Sequence, residues 1–413
     1  VDIPVTQPLS YPFNRWEGLE VDERYARLRA ESPMVRVKLA YGNEAWLATR
    51  YEDGRLVLAD PRFSRVLPPG LDMPRMGERK VDSGLMATDP PEHSRIRRLA
   101  AKAFTQRGVE SLRPTVTKVA NELVDAMIDL GPAVDLVANF AVPLPTTTIC
   151  VLLGVPVADQ ALFGEWASGF LSATGLTAEK IDEYQRNLWT YMAELLAERV
   201  ADPQDDLLSA LANAKDNDDR FSGEEVLHLA ASLLAAGHET TTAAISDFVL
   251  TLLRHPGELA KIEQDPELIP QAVEELMRFV PLGVGATLPR YAKEDVEVGG
   301  VLVRAGEPVL VTINSVNRDD AVFPNAATLD VTRTVKAHLG FGHGVHHCLG
   351  ASLARTQLQV ALATLVGRLP NLRLAVPADQ LRWKQGGFVR SPAEMPISWD
   401  PPVVQNLPRS THP

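Results

Sequence analysis

The 413-residue chain is 45% hydrophobic and 23% charged, the balance of an ordinary globular protein, which argues against a disordered chain or a membrane-embedded body. A formal net charge of -12 disfavours non-specific contact with nucleic acid, because most of the surface repels a phosphate backbone. The two cysteines, Cys150 and Cys348, cannot form a disulfide framework and fit a reducing compartment.

The first segment, VDIPVTQPLSYPFNRWEGLE, has prolines and acids where an export signal needs a basic start and an unbroken apolar stretch, so the expected location is cytoplasmic. MVRVKL and AWLATR, near 34–50, predict short strands. Residues 66–84, rich in proline and glycine, predict a loop of functional length. DPPEHSRIRR at 89–98 then starts a helix: Asp89 can cap it, the prolines fit its first turn, and His93 and Arg97 share a face. The plainer reading of that face is solvated basic surface.

Three-and-four spacing of apolar residues predicts helices over 107–131, 180–200, 223–254, 267–279 and 350–368, with a second functional-length loop at 172–180. Inside the longest pattern, AAGHETTTA at 235–243 is a poor helix, since Gly237 costs about 1 kcal/mol against alanine and three threonines crowd the backbone. Its plainer reading is a packing contact for a crossing helix. The apolar run 229–237 is too short to span a membrane. Glu275 and Arg278 share a helix face and by themselves read as a surface ion pair. VEVGGVLV at 296–303 and PVLVTI at 308–313 predict further strands, which makes the fold class mainly α with small β-sheets.

Phe341 to Gly350, FGHGVHHCLG, runs into a helical pattern at Leu349. That puts Cys348 at a helix entrance, where free N–H groups and the positive dipole end favour an anion and lower a thiol's pKa. A thiolate there can serve as a nucleophile, a zinc ligand or an axial ligand to haem iron. Gly342, Gly344 and Gly350 permit left-handed backbone or close approach of a flat, bulky group, which favours haem. His343, His346, His347 and Cys348 supply enough atoms for zinc, but His346 and His347 are adjacent and project differently, and no second ligand pair closes a structural site. A solvated loop without function is the plainest alternative.

HLGFGHGVHHCLGASLAR resembles the haem-ligand signature of bacterial cytochromes P-450, the haem-thiolate monooxygenases, and further motifs follow in that family's order along nearly the whole chain. The resemblance implies the cytochrome P-450 fold in one domain over 1–400, with a flexible tail over 401–413, and haem b (iron protoporphyrin IX) as cofactor. Cys348 would be the axial ligand to the haem iron. Phe341, Gly342, Gly344, His346 and Gly350 match the family's loop positions, and His93, Arg97, Arg290 and His346 its propionate-binding ones. His347 departs from the usual aromatic or aliphatic residue and reads as a solvent-facing filler. Glu275 and Arg278 match a buried network bracing the cysteine loop; NRD at 317–319 and FP at 323–324 lead into that loop. Residues 236–240 match an oxygen-activation motif in an opened helix, where Glu239 and Thr240 deliver protons. Haem-facing positions of the family suggest a substrate pocket lined by the 66–84 and 172–180 loops and by Leu233, Ala236, Val284, Gly285, Ala286, Leu288, Phe388 and Val389. Small residues at Gly283, Gly285 and Ala286 suggest room for a bulky molecule.

The implied activity is insertion of one atom of O2 into a C–H bond or alkene of a small-molecule substrate. PLGVGATLPRYA and the cysteine loop are most similar to actinobacterial enzymes oxidising macrolides and other polyketides. A terpenoid, steroid or fatty-acid hydroxylase of the same fold is one alternative; a non-catalytic haem-thiolate sensor or electron carrier is another, disfavoured because passive binding has no use for an acid-alcohol pair. No glycine fingerprint for a redox nucleotide occurs, so electrons are expected from ferredoxin and ferredoxin reductase, with an acidic ferredoxin docked on Arg95, Arg98 and Lys102. The expected protein is a monomer that binds neither nucleic acid nor membrane.

Overall fold

The computed structural model describes residues 7–78, 84–103, 106–160, 162, 165–166, 176–216, 219–286, 288–334, 337–386 and 389–401. The loops at 66–84 and 172–180 and the tail lie partly outside these residues, and Phe388 lies wholly outside them.

Alternating residues over 34–50 form β2 (Met34–Lys38) and β3 (Ala45–Ala48), paired antiparallel with Val35 opposite Leu47. They belong to a six-stranded sheet in the order β1-β2-β3-β6-β5-β4, with β1 at Leu9–Ser10, β4 at Phe63–Ser64, β5 at Arg290–Ala292 and β6 at Pro308–Val311. β6 runs parallel to β3, with Val309 opposite Trp46, so the sheet joins the two ends of the chain. β4 lies antiparallel to β5, with Ser64 opposite Tyr291.

Helices α1 (Tyr51–Ala59) and α2 (Glu92–Ala103) follow the N-terminal strands. The pattern over 107–131 predicts one helix, whereas the structure has two, Gln106–Ser111 and α3 (Arg113–Leu130). Pro114 lies at the start of α3, where its missing N–H costs nothing, but it cannot continue an incoming helix. α4 (Pro143–Leu153) comes from the threonine-rich run around Cys150, too short and too β-branched to be read as a helix from its sequence. α5 (Ala178–Ala201), α6 (Gly223–Arg254), α7 (Ile269–Phe279) and α8 (Ala351–Arg368) lie within two residues of the expected bounds.

α6 begins with a reciprocal cap: the Ser222 hydroxyl accepts from the Glu225 N–H at 3.1 Å, while the Glu225 carboxylate accepts from the Ser222 N–H at 2.7 Å. It is apolar on several faces, which suits a helix enclosed by others. Its first half packs with α4 and α5 around Ile149, Leu188, Met192 and Leu234; its second half packs with α3, α7 and α8 around Phe140, Phe248, Leu276 and Leu362. The helix therefore joins two apolar cores. No described helix is long and apolar enough to cross a membrane.

Candidate active site

The cysteine loop crosses from the sheet side of the fold to the start of α8. It closes on itself through backbone bonds: Cys348 N–H donates to the Phe341 carbonyl at 2.9 Å and Gly342 N–H to the Leu339 carbonyl at 2.9 Å. Gly342 and Gly344 have φ of 74° and 71°. A Cβ on Gly344 would fall 2.6 Å from the Leu58 carbonyl, so only glycine lets the loop rest on the end of α1. Gly350 is not left-handed, with φ of -84°, and nothing stands within 4 Å of where a Cβ would go.

Cys348 keeps accessible surface although its thiol lies within the protein body, so the side chain borders an internal recess. Burial pushes the thiol pKa up, outweighing the Gly350 N–H and the guanidinium groups of Arg97 and Arg355, which pull it down. The sequence predicted a lowered pKa. Cys348 lies ahead of the first turn of α8 rather than on it, and one N–H bond does not offset desolvation. Among the described residues, no three His, Cys, Asp or Glu side chains are grouped to hold a metal ion as zinc would require.

Glu275 and Arg278 are fully buried, and Arg278 donates to both carboxylate oxygens at 2.7 Å. Arg278 also donates to the carbonyls of Asn317 at 2.9 Å and Ala326 at 2.8 Å, while Glu275 accepts from Asp330 N–H at 3.1 Å. The pair thus anchors the segment over 317–330, and Asn317 passes the tie onward by accepting from Leu339 N–H at 2.8 Å.

The more direct brace is Glu274, which the sequence reading missed. Its carboxylate accepts from Arg355 Nε at 2.6 Å and bonds His338 Nε2 at 3.0 Å. Because Gly340 N–H donates to His338 Nδ1 at 3.0 Å, the ring proton belongs on Nε2 and points at Glu274. The Arg355 guanidinium covers the Phe341 ring at 4.4 Å. Burial works to raise the Glu274 pKa, but the bonds from His338 and Arg355 prevail and bring it to about 2. A carboxylate with a depressed folded pKa adds stability above its unfolded value, lost as pH falls through the folded one. We therefore expect an acid-labile contribution of about 3 kcal/mol that disappears between about pH 4.5 and 2. Urea midpoints measured across that window should fall less steeply in Glu274→Gln than in the parent.

A basic cluster lies beside the recess. His93 and His346 are in contact, with ring centroids 4.1 Å apart and planes tilted by 45°, and Arg97 is close enough to Cys348 for their charges to interact. Burial, then the charges of Arg65, His93 and Arg97, drive the His346 pKa down to about 3. Arg65, absent from the sequence reading, is held down to about 10 by burial; its Nε and Nη1, and His93 Nδ1, are buried without a protein partner. Arg290, whose Nη1 donates to the Leu288 carbonyl at 3.5 Å, is buried at the start of β5, and the β4-β5 register carries Arg65 to the neighbouring strand end. Asp89 does not cap α2 with its side chain, as expected from sequence. Its carboxylate instead accepts from the Ser64 hydroxyl at 2.5 Å and Arg65 N–H at 2.9 Å, tying Arg65 to the helix that carries His93 and Arg97.

In α6, Ala236 and Thr240 keep exposed surface on one face of a largely buried helix. The helix is continuous here, not opened as the resemblance implied: Thr240 Oγ1 donates to the Ala236 carbonyl at 2.6 Å. Gly237 makes a packing contact, its Cβ position lying 3.3 Å from Ile149 of α4. Glu239 Oε2 is buried without a protein partner, and burial raises its pKa against the charge of Lys384. Leu233 of α6 and Leu349 of the cysteine loop pack on the same apolar cluster, which links helix and loop.

The remaining pocket positions divide. Gly283 bridges Val389 across two segments, and its carbonyl accepts from Asn314 Nδ2 at 2.7 Å; Val284 is buried and Leu288 half-buried. A Cβ on Gly285 would lie 3.3 Å from the Tyr11 ring, and Ala286 packs on the same N-terminal cluster, so their small size fits that packing. Of the expected docking patch, Arg95 pairs with Glu92 at 2.8 Å and with Glu225, and the Lys102 side chain lies outside the described residues.

The chain is 52% identical over 393 residues to mycinamicin IV hydroxylase/epoxidase of Micromonospora griseorubida, covering 95% of this chain and 99% of that protein. It is 47% identical over 396 residues to nocardicin C N-oxygenase of Nocardia uniformis subsp. tsuyamanensis, covering 95% and 99%. The solved structure of the mixed-function P450 MycG superposes with a TM-score of 0.91 at 52% identity, covering 95% of this chain and all of that one. The Cytochrome P450 family model matches residues 165–394. A recess-bordering thiol on a braced loop, flanked by unpaired basic groups and a long central helix, thus occurs in a chain that belongs to the cytochrome P450 family.

Proposed function

We propose that this protein inserts one oxygen atom from O2 into a C–H bond or alkene of a bulky secondary metabolite, a macrolide or related polyketide, with electrons from ferredoxin and ferredoxin reductase. Monooxygenase activity and a haem cofactor follow from family membership. The substrate class is supported by the near full-length identity to an enzyme named for mycinamicin IV. Two free cysteines fit a cytoplasmic setting.

The observation that carries the mechanism is the meeting of a lone thiol with a cluster in which Arg65, His93, Arg97, Arg290 and His346 outnumber the Asp89 carboxylate. Haem offers two carboxylates and an iron that accepts a soft ligand, and the residues present fit both demands. Cys348 would hold the iron; Arg65, His93, Arg97, Arg290 and His346 would hold the propionates, with the orphaned nitrogens of Arg65 and His93 as donors. Neither cysteine lies in a C-x-x-C-H attachment motif, which supports haem b. Bound haem would supply the one-electron and dioxygen chemistry. Phe341, fixed by Arg355, would shield the sulfur from water. Burial raises the Glu239 pKa and so favours a proton on its carboxyl group, which Glu239 would supply while Thr240 turns its hydroxyl from the Ala236 carbonyl into the recess to pass one on.

Turnover of mycinamicin IV by the haem-loaded protein with ferredoxin, its reductase and NADPH should yield hydroxylated or epoxidised product. Oxidation of terpenoids, steroids or fatty acids in its place would overturn the substrate class. Thr240→Ala should lower product formed per NADPH by about tenfold or more, with hydrogen peroxide rising to match. Unchanged coupling would reject the proton role.

A further inference from the structure

The middle of α6 carries a file of polar groups that the site above does not use. His238, Thr242, Ser246 and Asp247 are buried in this mostly apolar helix, beside half-buried Glu239. Both ring nitrogens of His238, Oγ1 of Thr242 and both carboxylate oxygens of Asp247 are buried without a protein partner, as is Oε2 of Glu239. Such atoms cost free energy unless ordered water satisfies them. Glu239, Ala243 and Asp247 recur every four residues and so form one stripe, about 12 Å from first to last.

The same stripe continues to Leu250 and Arg254, which line an open cavity of about 850 Å³ together with Glu20, Asp379 and Trp383. Two cations near this cavity act on the polar groups of the helix. Arg390, fully buried, reaches the carbonyls of Arg15 and Glu20 at 3.3 Å and faces Asp247 with its charge. Lys384, next to Trp383, acts on Asp247, Glu239 and His238. Burial raises the pKa of Asp247 well above the carboxylate range against both cations, and drives His238 down to about 4. A carboxyl group whose pKa is raised by burial holds a proton more readily, and cations nearby ease its release.

We propose that Asp247, with ordered water along this stripe, resupplies protons to Glu239 from the cavity at the C-terminal end of α6. The inference rests on Glu239 holding a proton for oxygen activation. A proton from cavity water enters at Asp247 as that carboxyl passes its own, through water, to Oε2 of Glu239. Both carboxyl groups return to their starting state, and no electron moves. Asp247 is a positioning and relay residue, since it touches neither substrate nor cofactor.

Infrared spectroscopy of the haem-loaded protein moved from H2O to D2O tests this. The carbonyl band of protonated Glu239 is the one that Glu239→Gln removes, and it serves as the reporter without turnover. In Asp247→Asn, which keeps the side-chain shape, and in Asp247→Leu, deuteration of that band should slow by at least about tenfold. An unchanged rate in both variants overturns the relay and leaves the role of Glu239 standing. If Glu239→Gln removes no such band, Glu239 is not protonated, and both readings fall.

Discussion

Replacing Cys348 by serine should leave a folded protein that neither turns over nor shows, when reduced and exposed to carbon monoxide, the red-displaced Soret band of thiolate-bound haem. The loop is held by main-chain bonds, including Cys348 N–H to the Phe341 carbonyl at 2.9 Å, and serine keeps all of them. Only the sulfur is lost. Removing even an outer partner of a metal ligand costs 10–100-fold, so loss of the ligand itself should lower oxygen insertion by at least about 100-fold. Arg97 and Arg355 favour a negative charge at this position, which a serine hydroxyl does not carry at neutral pH. Retention of the red-displaced band and of turnover in Cys348→Ser would refute the assignment of the iron ligand.

The second large effect concerns stability. Arg278→Leu should lower the free energy of unfolding by about 3–5 kcal/mol, because it strands Glu275 as a buried charge and leaves the carbonyls of Asn317 and Ala326 without their donor. Arg333 Nε, 3.2 Å from Glu275, recovers only part of that loss. The measurement is the shift in urea midpoint at constant slope, together with haem retention as the segment over 317–330 loosens. An exposed ion pair would give under about 1 kcal/mol, so a shift that small would mean the pair does not brace the fold. Glu275→Leu with Arg278→Leu removes both charges and should cost less than the sum of the single changes.

Much of this molecule is written in local pattern. The helices ending at Arg254 and Phe279 keep their expected last residue because apolar spacing and the prolines nearby act within a few positions. The interruption before Pro114 was available from the same rules, since proline tolerates the first turn of a helix but not its interior. His93 and Arg97 could be paired from spacing alone, as could the crowded loop around Cys348. Glu275 and Arg278 show where local pattern stops: the same two letters describe a solvated pair and a buried one, and only the burial of α7 decides between them.

By itself, then, the order of residues determined the long helices, the short strands, the cysteine loop and the pairs that share a helix face, because each depends on neighbours a turn or two away. Tertiary structure alone decided that β3 lies beside β6, that Arg65 joins the basic cluster, that Glu274 is tied to His338 and Arg355, and that Gly285 meets Tyr11. Those contacts join parts of the chain with no periodic relation. Hydrogen bonding and desolvation acquire their strength only when packing excludes water between them.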